Sequence, residues 1–205
     1  MNIFKKLIAV IIMVSVVSSL GLVGVADTAT SNACDYFLNN KYRINSKVSC
    51  GDCYGLRLYS FSNGKFTVTG NSTVQERMGK SNAFSTYNST KEHSYQCTVE
   101  VIKLLSVGSP SISASGFSSG VSVNTKTGSV SFQSKPVNNP YIGFQSTCSL
   151  ENSFYEKIQK LGLTVTGNAM LATILNCKYV RITYRPTAKV GTTSYTGKVT
   201  LNKYW

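Results

Sequence analysis

The chain has 205 residues, a formal net charge of +13 and 42% hydrophobic residues. This length is enough for one sizeable core and short for two, so we expect a single folded domain. The basic charge comes without an arginine-rich tail or a nucleic-acid-binding motif, which argues against sequence-specific recognition of nucleic acid.

The N-terminus has the pattern of a secretory signal peptide. Lys5 and Lys6 precede an apolar run from Leu7 to Val17, and small residues follow up to Ala26. Because about 20 uncharged residues can also span a bilayer, retention as a membrane anchor is the alternative. We favour cleavage, with residues 1–26 as the signal peptide and residues 27–205 as one secreted, β-rich domain of bacterial type.

The first segments of the exported part predict a helix, a hairpin and a loop. Residues 30–42 have a brief helical period, with Ser31 or Asn32 as the N-cap. Residues 59–70 place Asn63 and Gly64 between two alternating runs, which predicts a tight β-hairpin turn. Residues 71–94 are rich in Asn, Ser, Thr and Gly and predict a long surface loop or an irregular edge.

Two strand patterns follow in the middle of the chain. Residues 95–105 alternate, and the pattern predicts that Tyr95, Cys97, Val99 and Val101 face the core. The Ser-rich stretch 111–135 predicts a second hairpin, which turns near residues 124–128. A nearly uncharged hairpin of this kind is also typical of β-pore-forming toxins, so a β-pore-forming or antibacterial toxin that inserts hairpin 111–135 into a membrane is an alternative function.

The C-terminal third predicts one helix and then strands. Ser149 is a good N-cap for a helix over residues 149–162, Gly162 is a good C-terminal stop, and residues 168–177 fit a helix or a strand. Residues 179–185 and 196–205 alternate as strands do. In the first of these, Val180, Ile182 and Tyr184 are predicted to face inward, and the outward positions are those of Tyr179, Arg181, Thr183 and Arg185. The predicted fold is therefore mainly β: an antiparallel β-sandwich or packed sheet with one or two short helices.

An even number of cysteines in an exported chain predicts disulfide staples, here three bridges with the pairing left open. The cysteines are Cys34, Cys50, Cys53, Cys97, Cys148 and Cys177. Two alternatives for the closely spaced Cys50 and Cys53 are a redox dithiol and a zinc site with His93 and Cys97. We expect neither, and we expect no metal and no other cofactor.

A third alternative for this segment is a nucleophile. The sequence DCYGL at residues 52–56 resembles the start of the NlpC/P60 cysteine peptidases. The resemblance covers about ten residues, and it implies Cys53 as the nucleophile and His93 as the general base.

The charge distribution predicts where a partner binds. No acidic residue follows Glu156, whereas basic residues continue to the C-terminus. Arginine grips anions through two parallel hydrogen bonds, and tyrosine stacks on rings. We therefore predict a secreted, non-catalytic binding protein for an anionic cell-wall polymer, glycan or anionic membrane surface. The predicted binding residues are Tyr179, Arg181, Arg185, Lys198 and Tyr204.

Overall fold

The computed structural model describes residues 28–52, 63–102, 111–115, 121–126, 128–151 and 179–204. In these ranges the chain forms two six-stranded antiparallel sheets, and they contain no helix. The apolar faces of the two sheets pack against each other in two hydrophobic clusters. The prediction of a mainly β, sandwich-like fold is confirmed, whereas the short helices are not found in the described residues.

The first sheet has the strand order β1-β2-β3-β9-β6, and β4 pairs with β3. Its strands are β1 (Thr28–Phe37), β2 (Tyr42–Asp52), β3 (Asn63–Arg77), β4 (Phe84–Thr86), β6 (Ser111–Ser115) and β9 (Tyr141–Glu151).

The second sheet has the order β11-β10-β5-β8-β7, and β12 also pairs with β10. Its strands are β5 (Lys91–Ile102), β7 (Val121–Lys126), β8 (Ser129–Ser134), β10 (Tyr179–Val190), β11 (Thr193–Thr196) and β12 (Val199–Lys203).

The core lies between the sheets and is filled by alternate residues of their strands, because successive side chains of a strand point to opposite faces. On β5, Tyr95, Cys97, Val99 and Val101 are all buried, as predicted. Four aromatic rings from both sheets pack at the centre with centroids 4.9 to 5.9 Å apart. The rings belong to Tyr95, Phe132, Phe144 and Tyr184.

The predicted helix over residues 30–42 is wrong, because this segment forms a β-hairpin. Phe37 pairs with Tyr42 across a turn in which Leu38, Asn39 and Asn40 have φ values of 48°, 54° and 61°. Asparagine tolerates this left-handed conformation better than most residues. The strand β1 alternates between more and less exposed residues, so one of its faces packs on the sandwich.

The predicted turn at Asn63 and Gly64 is also wrong, because both residues begin β3. This strand pairs with β2 on one side and β9 on the other, so that Phe66 lies opposite Asp52 and Cys148. The polar segment 71–94 is largely strand and not a loop, since Ser72 and Val74 are buried on β3.

The Ser-rich stretch 111–135 is divided between the two sheets. A hairpin of β7 and β8 forms as predicted, with Lys126 opposite Ser129. Residues 111–115, however, pair with β9 in the other sheet. This change of sheet accounts for the break in the alternation of apolar residues between Ile112 and Val121.

Ser149 does not cap a helix, because it lies inside β9, where it pairs with Lys65 and Ser113. Leu150 and Glu151 also belong to β9. Residues 152–162 of that predicted helix and the segment 168–177 lie outside the described residues, as does the leader 1–26. None of the described segments is a helix long and apolar enough to cross a membrane.

The predicted disulfide staples are not found among the cysteines that the structure describes. No disulfide joins any two of Cys34, Cys50, Cys97 and Cys148, whereas Cys53 and Cys177 lie outside the described residues. Cys50 and Cys148 are on strands separated by β3, about 9.5 Å apart. Disulfides need Cα atoms within about 7 Å, so strand geometry keeps these two residues apart.

Cys97 behaves as a small apolar core residue. It belongs to the second sheet, and no disulfide joins it to Cys148 of the first sheet. Burial raises the pKa of its thiol well above the usual range, and the nearby Cys148 thiol adds to this shift. A thiol with a raised pKa stays protonated at neutral pH and reacts slowly.

Candidate binding surface

Three of the predicted binding residues come together at one end of the second sheet. Tyr179 and Arg181 are on the outward positions of β10, and Arg181 Nη2 donates a 2.7 Å hydrogen bond to the Tyr179 hydroxyl oxygen. The Tyr179 and Tyr204 rings pack with centroids 5.0 Å apart. Tyr204 is 56% exposed, so this cluster presents an aromatic surface beside a positioned guanidinium group.

The other two predicted residues, Arg185 and Lys198, lie farther along the same face. Tyr184 pairs with Val199, and Gly197 N–H donates to Pro186 O at 2.9 Å, so Lys198 lies at the level of Arg185. Both side chains are exposed. Arg185 is four residues from Arg181, which separates their Cα atoms by about 13 Å along the strand.

The loop before β12 is fixed by a carboxylate of the first sheet. The Lys198 backbone N–H donates to Asp35 Oδ2 at 2.9 Å. A Cβ atom at Gly197 would lie 2.7 Å from that same oxygen, so a larger residue would require the Asp35 side chain to shift. Lys198 is therefore held on a defined backbone and does not sit on a free loop.

A shallow cleft of about 330 Å³ adjoins Arg185. Its walls are mostly hydroxyl and amide side chains, which both donate and accept hydrogen bonds. The lining residues are Ser94, Tyr95, Gln96, Gln133, Ser134, Arg185, Thr187 and Thr196.

Acidic residues from the middle of the chain reduce the positive charge of this face. The strand β5 pairs with β10 and places Glu100 directly opposite Arg181. Glu92 Oε1 lies 3.0 Å from Lys189 Nζ and forms an ion pair. Arg185, in contrast, lies opposite the neutral Gln96 on β5.

His93 is inside the sandwich and does not lie in a solvated loop. Its side chain is 0% exposed, and both ring nitrogens have partners. Nδ1 lies 3.0 Å from Asn139 O, which can only accept, and Nε2 lies 2.9 Å from Ser72 Oγ. Nδ1–H therefore donates to Asn139, and the Ser72 hydroxyl donates to Nε2.

The Ser72 hydroxyl in turn lies 3.3 Å from the Tyr184 hydroxyl, so a buried chain of hydrogen bonds links the two sheets. Burial disfavours the charged imidazolium and lowers the pKa of His93 to about 4. A buried ring with both nitrogens occupied cannot reach a substrate. The peptidase hypothesis thus loses its general base, and Cys53 lies outside the described residues.

The zinc alternative also finds no support in the described part of the chain. There, no three His, Cys, Asp or Glu side chains lie close enough to hold a metal ion.

Sequence reasoning missed a second cluster of arginine and aromatic residues, on the outer face of the first sheet. It consists of Tyr36, Arg43, Arg77 and Phe84, and we call it the Arg43 corner. The hairpin at Asn39 and Asn40 places Tyr36 directly opposite Arg43. The adjacent Asn39 and Asn40 are a sequence signal for this turn. It was overlooked because residues 30–42 were interpreted as a helix.

Comparisons with known proteins give fold-level likenesses only. No family model matches the chain, and no curated protein matches it. The KRT10-binding region domain of the pneumococcal serine rich repeat protein PsrP is 12% identical with a TM-score of 0.36, covering 87% of this chain and 99% of that chain.

Two further solved structures are similar at a lower level. The GAE domain of GGA2p from Saccharomyces cerevisiae is 9% identical with a TM-score of 0.26, covering 84% of this chain and 97% of that chain. The collagen-binding domain from a Staphylococcus aureus adhesin is 6% identical with a TM-score of 0.26, covering 70% of this chain and 91% of that chain. With TM-scores below 0.5, these likenesses carry no functional argument.

Proposed function

We propose that the protein is a secreted, non-catalytic binding protein that holds an anionic polymer or surface on the outer face of its second sheet. The observation that carries this proposal is the Tyr179–Arg181 hydrogen bond beside the exposed Tyr204 ring. This bond fixes the guanidinium group before any ligand binds.

A fixed guanidinium loses less conformational entropy on binding than a free one, and each immobilised side chain costs about 0.5 to 1.5 kcal/mol. Arg185 and Lys198 extend the cationic surface along the strand, about 13 Å from Arg181. An extended polyanion can contact both groups of cations, whereas a single small anion cannot. This spacing favours a polymer or a surface as the partner.

The test is retention on an immobilised polyanion, such as polyphosphate beads, over a NaCl gradient. The double variant Arg181→Ser with Arg185→Ser should elute at clearly lower salt than the parent protein. The matched control is Lys80→Ser with Lys91→Ser, which removes the same charge from two exposed positions away from the cluster. We expect the control to elute close to the parent.

Equal losses for the two double variants would mean that retention depends only on total charge, which contradicts the proposal. Circular dichroism of both variants checks that each is folded. A Tyr204→Ala variant tests the aromatic part, and it should weaken retention with no change in charge.

A further inference from the structure

The Arg43 corner is organised by stacking of arginine on phenylalanine. Arg43 Cζ lies 3.9 Å from the centroid of the Phe84 ring, and Arg43 Nε donates to Gln75 Oε1 at 2.7 Å. Tyr36 meets the same ring edge-on at 5.8 Å and is 43% exposed. The guanidinium plane is thus fixed between an aromatic surface and an amide.

Arg77 approaches the same ring from its own strand. Arg77 Cζ lies 5.4 Å from the Phe84 centroid, and Arg77 Nε is buried with no hydrogen-bond partner among the described residues. Native proteins rarely leave a buried N–H group of a charged side chain without a partner. Two cationic groups therefore converge on one ring, and one of them retains hydrogen-bonding capacity.

The rest of this face is flat, polar and basic. Lys47 and Lys65 continue the positive charge along β2 and β3, on the same outward positions as Arg43 and Arg77. Of the acidic side chains that the structure describes, none occupies an outward position of the first sheet. Around the Arg43 corner an anionic partner therefore meets no acidic outward position, in contrast to the second sheet with Glu92 and Glu100. Glu151 lies at the opposite end of the first sheet, where it pairs with Asn63.

Hydroxyl and amide side chains fill the space between the cations in cross-strand rows. Asn45 pairs with Thr73, and Lys47 pairs with Asn71. Beyond them, the Thr30 and Ser49 hydroxyl oxygens lie 3.2 Å apart. Such groups donate and accept hydrogen bonds as the hydroxyls of a sugar do, and strands of this length offer about 40 Å of continuous face.

We propose that the outer face of the first sheet is a second binding surface, for a linear polysaccharide whose sugars carry carboxylate groups. A carboxylate matches the fork of a guanidinium group. The exposed Tyr36 ring suits the apolar face of a sugar, and the rows of hydroxyls and amides suit its hydroxyls. Because the two sheets of a sandwich present opposite outer faces, a molecule with both surfaces can link two polymer chains.

The experiment uses the exported protein carrying Arg181→Ser and Arg185→Ser, so that binding through the second sheet is suppressed. The probe is an oligomer of galacturonic acid, titrated by calorimetry, with a neutral oligomer of galactose for comparison. In this background, R43Q should weaken binding about tenfold, the size expected for loss of a charge-assisted hydrogen bond. The control K80Q removes an equal charge outside the corner and should leave binding nearly unchanged.

F84L keeps the apolar volume and removes the aromatic ring, so it should also weaken binding while the charge stays constant. Thermal unfolding of each variant identifies any loss of folded protein. Equal effects of R43Q and K80Q would overturn the proposal, as would binding of polyphosphate or single-stranded DNA as tight as that of the uronate oligomer at equal charge. Neither outcome bears on the proposed binding by the second sheet, because Arg181 and Arg185 are already replaced in every protein that is compared.

Discussion

The two outer faces of the sandwich differ in charge and in the way their cations are held. On the second sheet, Arg181 is bound to a tyrosine and lies opposite Glu100, and Lys189 is paired with Glu92. On the first sheet, Arg43 lies flat on Phe84, and no described acidic side chain points outward. The difference shows that strand pairing decides the charge of a face more than position in the chain does.

Counting charges along the sequence therefore gave an incomplete prediction. The acid-free stretch after Glu156 predicted a strongly basic surface, but β10 pairs with β5, which carries Glu92 and Glu100. The first sheet takes its cations from β2 and β3, which lie far from the basic C-terminus in the sequence. Changes in the shared interior should affect both faces, whereas changes on one outer face should affect that face alone.

Acid titration should have the largest effect, and it should affect both faces because His93 lies in the core between them. The folded pKa of His93 is about 4, below its ordinary value of 6.5, so the unfolded chain binds more protons between these values. The contribution of neutral His93 is complete above pH 6.5 and is lost as the pH falls to about 4. The loss is about 3 kcal/mol of unfolding free energy.

Urea unfolding at several pH values measures the slope of the unfolding free energy against pH. The H93Q variant should have a smaller slope than the parent protein between pH 6.5 and 4. The hydrogen-bonded neighbours of His93, namely Ser72 and Asn139, carry no charge. A parent protein with the same slope as H93Q would show that other groups control the acid response.

Overpacking at Gly70 should have the next largest effect, again on both faces. A Cβ atom there would lie 2.5 Å from Phe144 Cε1 and 3.0 Å from Tyr184 Cδ2. Gly70→Ala should therefore lower stability by about 2 kcal/mol, or roughly 6 °C in Tm. The control is Gly51→Ala, where the new Cβ meets Thr28 Oγ1 at an ordinary 3.5 Å. Similar Tm losses in the two variants would contradict the packing argument.

Removal of the Glu100 carboxylate should have the smallest effect and should change one face only. In E100Q, the group opposite Arg181 becomes neutral, so affinity for polyphosphate should rise about threefold at low salt. The variant E76Q makes the same change of charge at the edge of the first sheet and should leave this affinity close to the parent value. Higher affinity in both variants would indicate an effect of net charge.

The sequence predicted those parts of the fold in which alternation is regular and the partner strand does not matter. The strands at residues 95–101 and 179–185 have clear alternation, and their inward and outward faces were correctly predicted. The pairing of strands was harder to predict. Asn63 and Gly64 favour a turn locally, but pairing with the distant strand β9 places them in a strand. The intrinsic propensity of a residue for turn or strand predicts its structure poorly where pairing with a distant strand determines that structure.

Of the candidate site, the sequence predicted that Tyr179 and Arg181 point outward together, since they share one strand. It did not predict the position of Glu100 or the Arg43 corner, because both depend on the register between strands distant in sequence. His93 looked like a loop residue because its neighbours are polar. Its burial follows from partners on β3 and before β9, which no local pattern reveals.

The most direct test of the binding account is an amide NMR titration of the protein with a short polyphosphate. The account predicts that the largest shift changes fall on β10 and β12, around Arg181, Arg185, Lys198 and Tyr204, and that they vanish in the Arg181→Ser, Arg185→Ser variant. Changes of equal size at exposed lysines such as Lys80 and Lys91, unaltered by that double substitution, would contradict it.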